Sequence, residues 1–275
     1  MKETLFDNRP IGIFDSGLGG LTALKQIKEL MPNENFIYFG DTARTPYGSK
    51  AIETIQNFSV QITEFLMEHD VKMIVIACNT VTATCLNLLQ DKYREVPVIG
   101  MIEPTAKYVA QNCSNENIGV IGTRVTINSN QYENMINDLN SDCSIFSVAC
   151  PLFVPAIEEG VEKTSLMKEM IKHYLDGFIS NNEINTLVLG CTHYPLIENE
   201  IIQVYKNLKI VNPSKIVAFE VREILQKRKT LSNKNNLKSC FYASDLSEGF
   251  MNMVKDIMGG ENINIKNKSF VTEIT

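Results

Sequence analysis

Several absences in this 275-residue chain narrow its function before any motif is read. No apolar run approaches the roughly 18 residues that a membrane-spanning helix needs, so no membrane partner is expected. Met1-Lys2-Glu3-Thr4 does not begin a signal peptide. Positive charge is not in excess: 26 Lys and Arg face 32 Asp and Glu, a net charge of −6. That balance gives no electrostatic footprint for nucleic acid or an anionic surface. The seven cysteines form an odd set without a CxxC, which argues against a disulfide framework and for a reducing, cytoplasmic setting. Only three histidines occur, and neither His69 nor His173 sits in a motif like Cys191-Thr-His193, so no metal site is expected. The glycine-rich turn Asp15-Ser-Gly-Leu-Gly-Gly20 lacks both the lysine of a P-loop and the spacing of a dinucleotide fingerprint.

What is present is a pattern used twice. Met73 to Ala77 is an unbroken apolar run, as expected for a strand buried on both faces of a parallel sheet. It ends in Cys78-Asn79-Thr80, at the strand end where α/β sheets present their chemistry. Asn185-Thr-Leu-Val-Leu-Gly-Cys191-Thr-His193 repeats the arrangement 113 residues later (78 to 191). Ile118-Gly-Val-Ile121 with Gly122-Thr123 likewise echoes Ile11-Gly-Ile-Phe14 with Asp15-Ser16, 107 residues on (11 to 118). Offsets this similar suggest an internal duplication. Between the strands, Leu21, Leu24, Ile27 and Leu30, then Ile52 through Phe65, then Leu166 through Leu175 recur at helical spacing. Strands at Phe36–Phe39, Val96–Gly100 and Ser144–Ala149 complete the alternation.

The expected fold is therefore α/β: two similar α/β domains with parallel central sheets, pseudo-two-fold related, with the active site in the cleft between them. The first domain is expected to comprise 1–100 plus 214–275, and the second 101–213. From about Pro213 the tail reads as a helix, a polar linker from Lys227 to Lys238, Phe241-Tyr-Ala, and a last amphipathic helix, packed back on the first domain.

Two thiols at equivalent strand ends can face one another across such a cleft. A thiolate on one face of a tetrahedral carbon and a thiol on the other could remove a proton and return it from the opposite side, inverting the centre. A helix N-terminus at the strand-to-helix turn favours the anion. The competing reading of either cysteine alone is core packing, since free cysteine is among the most buried residue types. Cys85, Cys113, Cys143, Cys150 and Cys240 lack the strand-end setting and are assigned structural or surface roles. A non-catalytic amino-acid-binding protein would not need both thiols, and a thiol–disulfide enzyme would need them within bonding reach.

Asp15-Ser-Gly-Leu-Gly-Gly20, Gly40-Asp-Thr-Ala-Arg-Thr-Pro-Tyr-Gly48, Ala77-Cys-Asn-Thr80, Cys150-Pro-Leu-Phe-Val-Pro-Ala-Ile-Glu158 and Gly190-Cys-Thr-His-Tyr-Pro195 together resemble the glutamate racemase family over essentially the whole chain. That resemblance implies a cofactor-independent isomerase interconverting L- and D-glutamate for the peptidoglycan of the cell wall. By the same resemblance Cys78 and Cys191 are the catalytic bases. Asp15 assists Cys78, and His193 with Glu158 assists Cys191, with Glu159 the neighbouring alternative to Glu158. Asp15, Ser16, Tyr47, Gly48, Asn79, Thr80, Thr123, Thr126, Thr192 and His193 hold the substrate. His193 resembles the glutamate branch, where aspartate racemases commonly carry Glu. A homodimer is expected, with the small dicarboxylate amino acid as the other partner.

Overall fold

The computed structural model describes residues 6–139, 142–233, 239–260 and 263–270. In chain order its elements are β1 (Ile11–Asp15), α1 (Leu21–Leu30), β2 (Phe36–Gly40), α2 (Ile52–Met67), β3 (Met73–Ile76), α3 (Asn79–Lys92), β4 (Val98–Gly100) and α4 (Ile102–Asn112). There follow β5 (Asn117–Gly122), α5 (Arg124–Asn128), α6 (Gln131–Leu139), β6 (Ser144–Ala149), α7 (Phe153–Glu158), α8 (Ser165–Asn181), β7 (Thr186–Gly190), α9 (Glu198–Val204) and β8 (Lys209–Val211). The described residues end with α10 (Pro213–Arg228), β9 (Cys240–Ala243), α11 (Glu248–Ile257) and β10 (Ile265–Asn267).

The strands form two wholly parallel sheets, ordered β10-β9-β2-β1-β3-β4 and β6-β5-β7-β8. The inner order β2-β1-β3-β4 matches β6-β5-β7-β8 strand for strand, so the repeat legible in the sequence is a repeat of topology. Burial on both faces explains the continuous apolar runs. In β1, Ile11 and Ile13 point into one core layer and Phe14 into the other. In β3, Met73 and Val75 face the first layer while Ile74 and Ile76 face the second. All four residues of β3 are fully buried, each side chain contributing about 1.5–3 kcal/mol of transfer free energy. The second sheet repeats this, with Leu187 and Leu189 on one side of β7 and Val188 on the other.

The C-terminal segment returns to the first sheet. Helix α10 lays Val217, Ala218, Val221 and Leu225 against Leu21, Leu24 and Ile27 of α1, and β9 pairs with β2. Helix α4, by contrast, packs Ile102, Ala106 and Val109 with Ile118 and Val120 of the second sheet. The polar linker starts later than its composition predicts. Helix α10 runs through Lys227 and Arg228, and Lys229 ends it in the left-handed conformation at φ 57°. Residues 234–238 of that linker lie outside the described residues.

Candidate active site

Because all strands of each sheet are parallel, their carboxyl ends share one edge, and there the two sheets' loops meet. A cavity of about 90 Å³ opens between them, several times the 10–15 Å³ that one water occupies on the same measure. Its wall takes Ser16 from the end of β1, the Thr45–Ser49 loop after β2, and Cys78, Asn79 and Thr80 after β3. From the second sheet come Thr123 and Arg124 after β5, Cys150 and Pro151 after β6, and Cys191, Thr192 and His193 after β7. Both predicted cysteines thus reach one cavity from different sheets. They are buried and free, as are Cys85, Cys113, Cys143 and Cys150.

Glycines let the loops close in. A Cβ on Gly19 would sit 2.5 Å from His193 Nδ1 and 2.6 Å from Thr192 Oγ1, so only glycine lets the β1–α1 turn reach the opposite strand end. At Gly48 the added carbon would lie 2.7 Å from Thr123 Cβ, again across the two sheets.

Each cysteine has its own company. Cys78 is the residue that caps α3, and its thiol donates to Ser16 Oγ at 3.6 Å. Asp15, fully buried behind it, accepts the Gly17 amide at 3.0 Å and the Thr192 hydroxyl at 3.4 Å. Burial pushes the Asp15 carboxyl up, against the nearby His193 charge and the Gly20 and Gly17 amides. Burial first, and the Asp15 carboxylate second, push the Cys78 thiol far above its ordinary value. The helix terminus expected to favour a thiolate there is present, through the Val81 amide, but desolvation outweighs it.

Cys191 is different. No α-helix begins there; a 3-10 turn over Tyr194–Ile197 follows, and α9 starts only at Glu198. In place of a helix dipole it has an imidazole, with His193 Nδ1 3.9 Å from Cys191 Sγ. On the far side of that ring Glu158 Oε1 lies 3.0 Å from Nε2. Burial alone would lower the His193 pKa, yet the bonds and charges of Cys191 and Glu158 outweigh it and raise it to about 10. Glu159, the alternative carboxylate, is exposed and outside this contact.

The remaining predicted residues divide into wall and backing. Thr80 Oγ1 lies 2.9 Å from Thr123 Oγ1, which lies 3.0 Å from Thr126 Oγ1, a hydroxyl cluster bridging the two sheets. Thr126, Asp15 and Glu158 do not line the cavity; they stand behind residues that do. Asn79 Oδ1 accepts from the Tyr132 hydroxyl at 2.7 Å, while its buried Nδ2 has no partner among the described residues. That leaves an oriented donor at the wall. Tyr47 turns its ring inward, buried, and offers the cavity its loop.

Several wall residues escaped the sequence reading, Cys150 and Arg124 among them. Cys150, assigned a structural role, lines the cavity, although burial pushes its thiol up. Its place just after β6 was a usable signal, since residues just after β1, β3, β5 and β7 also line the cavity. Arg124 is the one Lys or Arg among the described lining residues, exposed at the rim, and its neighbours gave no cue. Among the described residues no group of three or more His, Cys, Asp or Glu could hold a metal ion.

Comparison with known proteins agrees with this fold. Residues 19–220 match the family model for Asp/Glu/Hydantoin racemase. The chain is 41% identical over 258 residues to a glutamate racemase of Neisseria meningitidis serogroup C, covering 94% of this chain and 95% of that protein. It is 38% identical over 264 residues to glutamate racemase 3 of Caldanaerobacter subterraneus, covering 95% of each. Among solved structures, the Francisella tularensis glutamate racemase in complex with D-glutamate superposes with a TM-score of 0.89 at 37% identity, over 96% of this chain and 98% of that one. An isoform from Bacillus anthracis gives 0.91 at 34% identity with the same coverage. Sequence matches of this extent, with the same fold, establish that the chain belongs to the Asp/Glu/hydantoin racemase family.

Proposed function

We propose that this protein racemises glutamate without an electron-sink cofactor, by proton transfer between Cys78 and Cys191. The observation that carries the reading is a pair of buried free thiols brought from two sheets into one cavity, each with its own polar backing. Starting from L-glutamate, the Cys191 sulfur as thiolate takes the α-proton, becoming a thiol. The Cys78 thiol then gives its proton to the opposite face of the carbanion, leaving Cys78 as thiolate and D-glutamate in the site. The asymmetry of the two surroundings supports this direction: burial and Asp15 push the Cys78 thiol up, whereas Cys191 stands beside His193, whose own pKa is raised to about 10.

The carbanion has no cofactor to delocalise it in this scheme, so fixed dipoles in a water-poor cleft must carry its charge. The Asn79 amide, the Thr80 and Thr123 hydroxyls backed by Thr126, the Ser16 and Thr192 hydroxyls and the Tyr47–Gly48 backbone supply donors for two carboxylates, with Asp15 acting from behind the wall through Thr192. Glutamate is favoured as substrate because the relatives bear that name and one solved relative holds D-glutamate.

The same reading extends to the context. The protein acts as a cytoplasmic homodimer supplying D-glutamate for peptidoglycan, and its halves divide as 1–100 plus 214–275 and 101–213. The packing of α10 on α1 and the pairing of β9 with β2 support that division. The test is circular dichroism of purified protein incubated with either enantiomer and no added cofactor. Decay of the signal to zero from both sides is the expected result. Binding without decay would leave only an amino-acid-binding protein.

A further inference from the structure

Asp41 is fully buried one residue past β2, and it lines no part of the cleft. A carboxylate in such a place is costly unless its oxygens are filled. They are filled from both sides. Oδ2 accepts Arg44 Nε at 2.7 Å and also the Tyr47 hydroxyl, while Oδ1 accepts the Ser244 hydroxyl at 2.8 Å. Arg44 and Tyr47 belong to the loop whose front face, Thr45 to Ser49, forms the cleft wall. Ser244 belongs to the C-terminal segment, directly after β9.

The stitching continues around this contact. Ser244 Oγ accepts the Ala43 amide at 2.9 Å, and the Ser244 amide donates to the Gly40 carbonyl at 3.1 Å. The Thr42 hydroxyl donates to the Asp245 carbonyl at 2.6 Å, and the Asp245 amide donates to Thr42 Oγ1 at 2.8 Å. The Arg44 guanidinium lies 4.0 Å from the Phe58 ring centre and 5.0 Å from that of Phe270, which follows β10. The loop is gripped from behind by a segment some 200 residues away in sequence that gives no residue to the cleft lining. In front, Gly48 approaches Thr123 so closely that a methyl group would not fit.

We infer that Asp41 is a positioning residue for the reaction: its carboxylate, tied to Ser244, Arg44 and Tyr47, sets the Tyr47–Gly48 backbone against Thr123, and makes the C-terminal segment a working part of the substrate site. The inference rests on the reading that this backbone holds the substrate. A buried cluster that merely stabilised the fold would not need to join the cleft loop to the chain's last strands through one carboxylate.

The test uses single-group deletions, since Asp41 variants risk not folding. Ser244→Ala and Tyr47→Phe each remove one hydroxyl from the Asp41 carboxylate and leave the cleft-facing backbone in place. Two quantities are read: amide hydrogen exchange at residues 47–49, and KM and kcat for both glutamate enantiomers. The expected result is exchange about tenfold faster at those amides, with α3 unchanged. KM should rise about tenfold with kcat within about twofold, as when binding common to ground and transition states is weakened. Unchanged exchange at 47–49 overturns the clamp, whatever the kinetics. Faster exchange with unchanged KM overturns the placement of Tyr47–Gly48 in the substrate site, and with it the role of Asp41 in the reaction. If glutamate is not turned over at all, the exchange measurement still decides whether Asp41 holds the loop.

Discussion

At the residue scale the site is two thiols in unlike surroundings. A serine in place of either cysteine keeps the shape and removes a base of usable acidity, since an alcohol is far less acidic than a thiol. Cys78→Ser and Cys191→Ser should each lower racemisation by roughly 10²–10⁴-fold or more. With a glutamate analogue carrying a β leaving group, each variant should still eliminate, but from one enantiomer only and opposite to the other's. Polarimetry and product release on the two enantiomers check this; either variant racemising near the wild-type rate sinks the two-base scheme. His193 adds a pH signature. Its pKa is held at about 10, above the ordinary 6.5, so the folded state binds that proton more tightly than the unfolded chain. The stability it contributes is complete below about pH 6.5 and fades as the pH rises through about 10. The gap in melting midpoint between wild type and His193→Asn should therefore be widest near pH 6 and shrink towards pH 10, as calorimetry across that range would show.

At the element scale, what matters is how closely strand-end loops of one sheet approach those of the other. Gly48 is the sharpest instance, because the carbon that alanine adds would lie 2.7 Å from Thr123 Cβ. Gly48 has an ordinary negative φ, so the objection is spatial and not conformational. Either the loop or α5 must retreat by several tenths of an ångström, at a cost of about 1–3 kcal/mol for an overpacked contact. Gly48→Ala should raise KM about tenfold and lower the melting midpoint by a few degrees. In a Thr123→Gly background, which removes the colliding Cβ, Gly48→Ala should cost much less in melting midpoint, and that difference would locate the effect at the contact. An unchanged KM in Gly48→Ala would remove the loop from the substrate site.

At the scale of the whole molecule, the cleft is built for a particular reach. Donors from both sheets surround it, from Ser16 and Asn79 on one side to Thr123 and Thr192 on the other. Aspartate is one methylene shorter than glutamate and would leave one carboxylate short of its donors. A site with buried polar groups left unpaired discriminates strongly, so kcat/KM for D-aspartate should be at least about 10²-fold below that for D-glutamate. Comparable values would move the protein to another branch of its family.

The strands that build both sheets' centres were readable because parallel strands buried on two faces are rich in unbroken apolar runs, as Met73 to Ala77 and Leu187 to Leu189 are. Cys78 and Cys191 were readable for the same reason: chemistry at the carboxyl end of such a strand stands out against the run before it. So was the Cys191–His193–Glu158 line, though only through resemblance. The short elements were not legible. Strands β8 and β10 have three residues each, and α5, α7 and α9 five to seven, too few for a period to show. Nor did the sequence show that burial would override the helix dipole at Cys78, or that Asp41 would bond Ser244. Each depends on a distance between residues far apart in the chain, or on how much water a closed cleft excludes. Local pattern determined which strands carry the thiols; only the packing of the two sheets decided what surrounds each sulfur, because those neighbours come from distant parts of the chain.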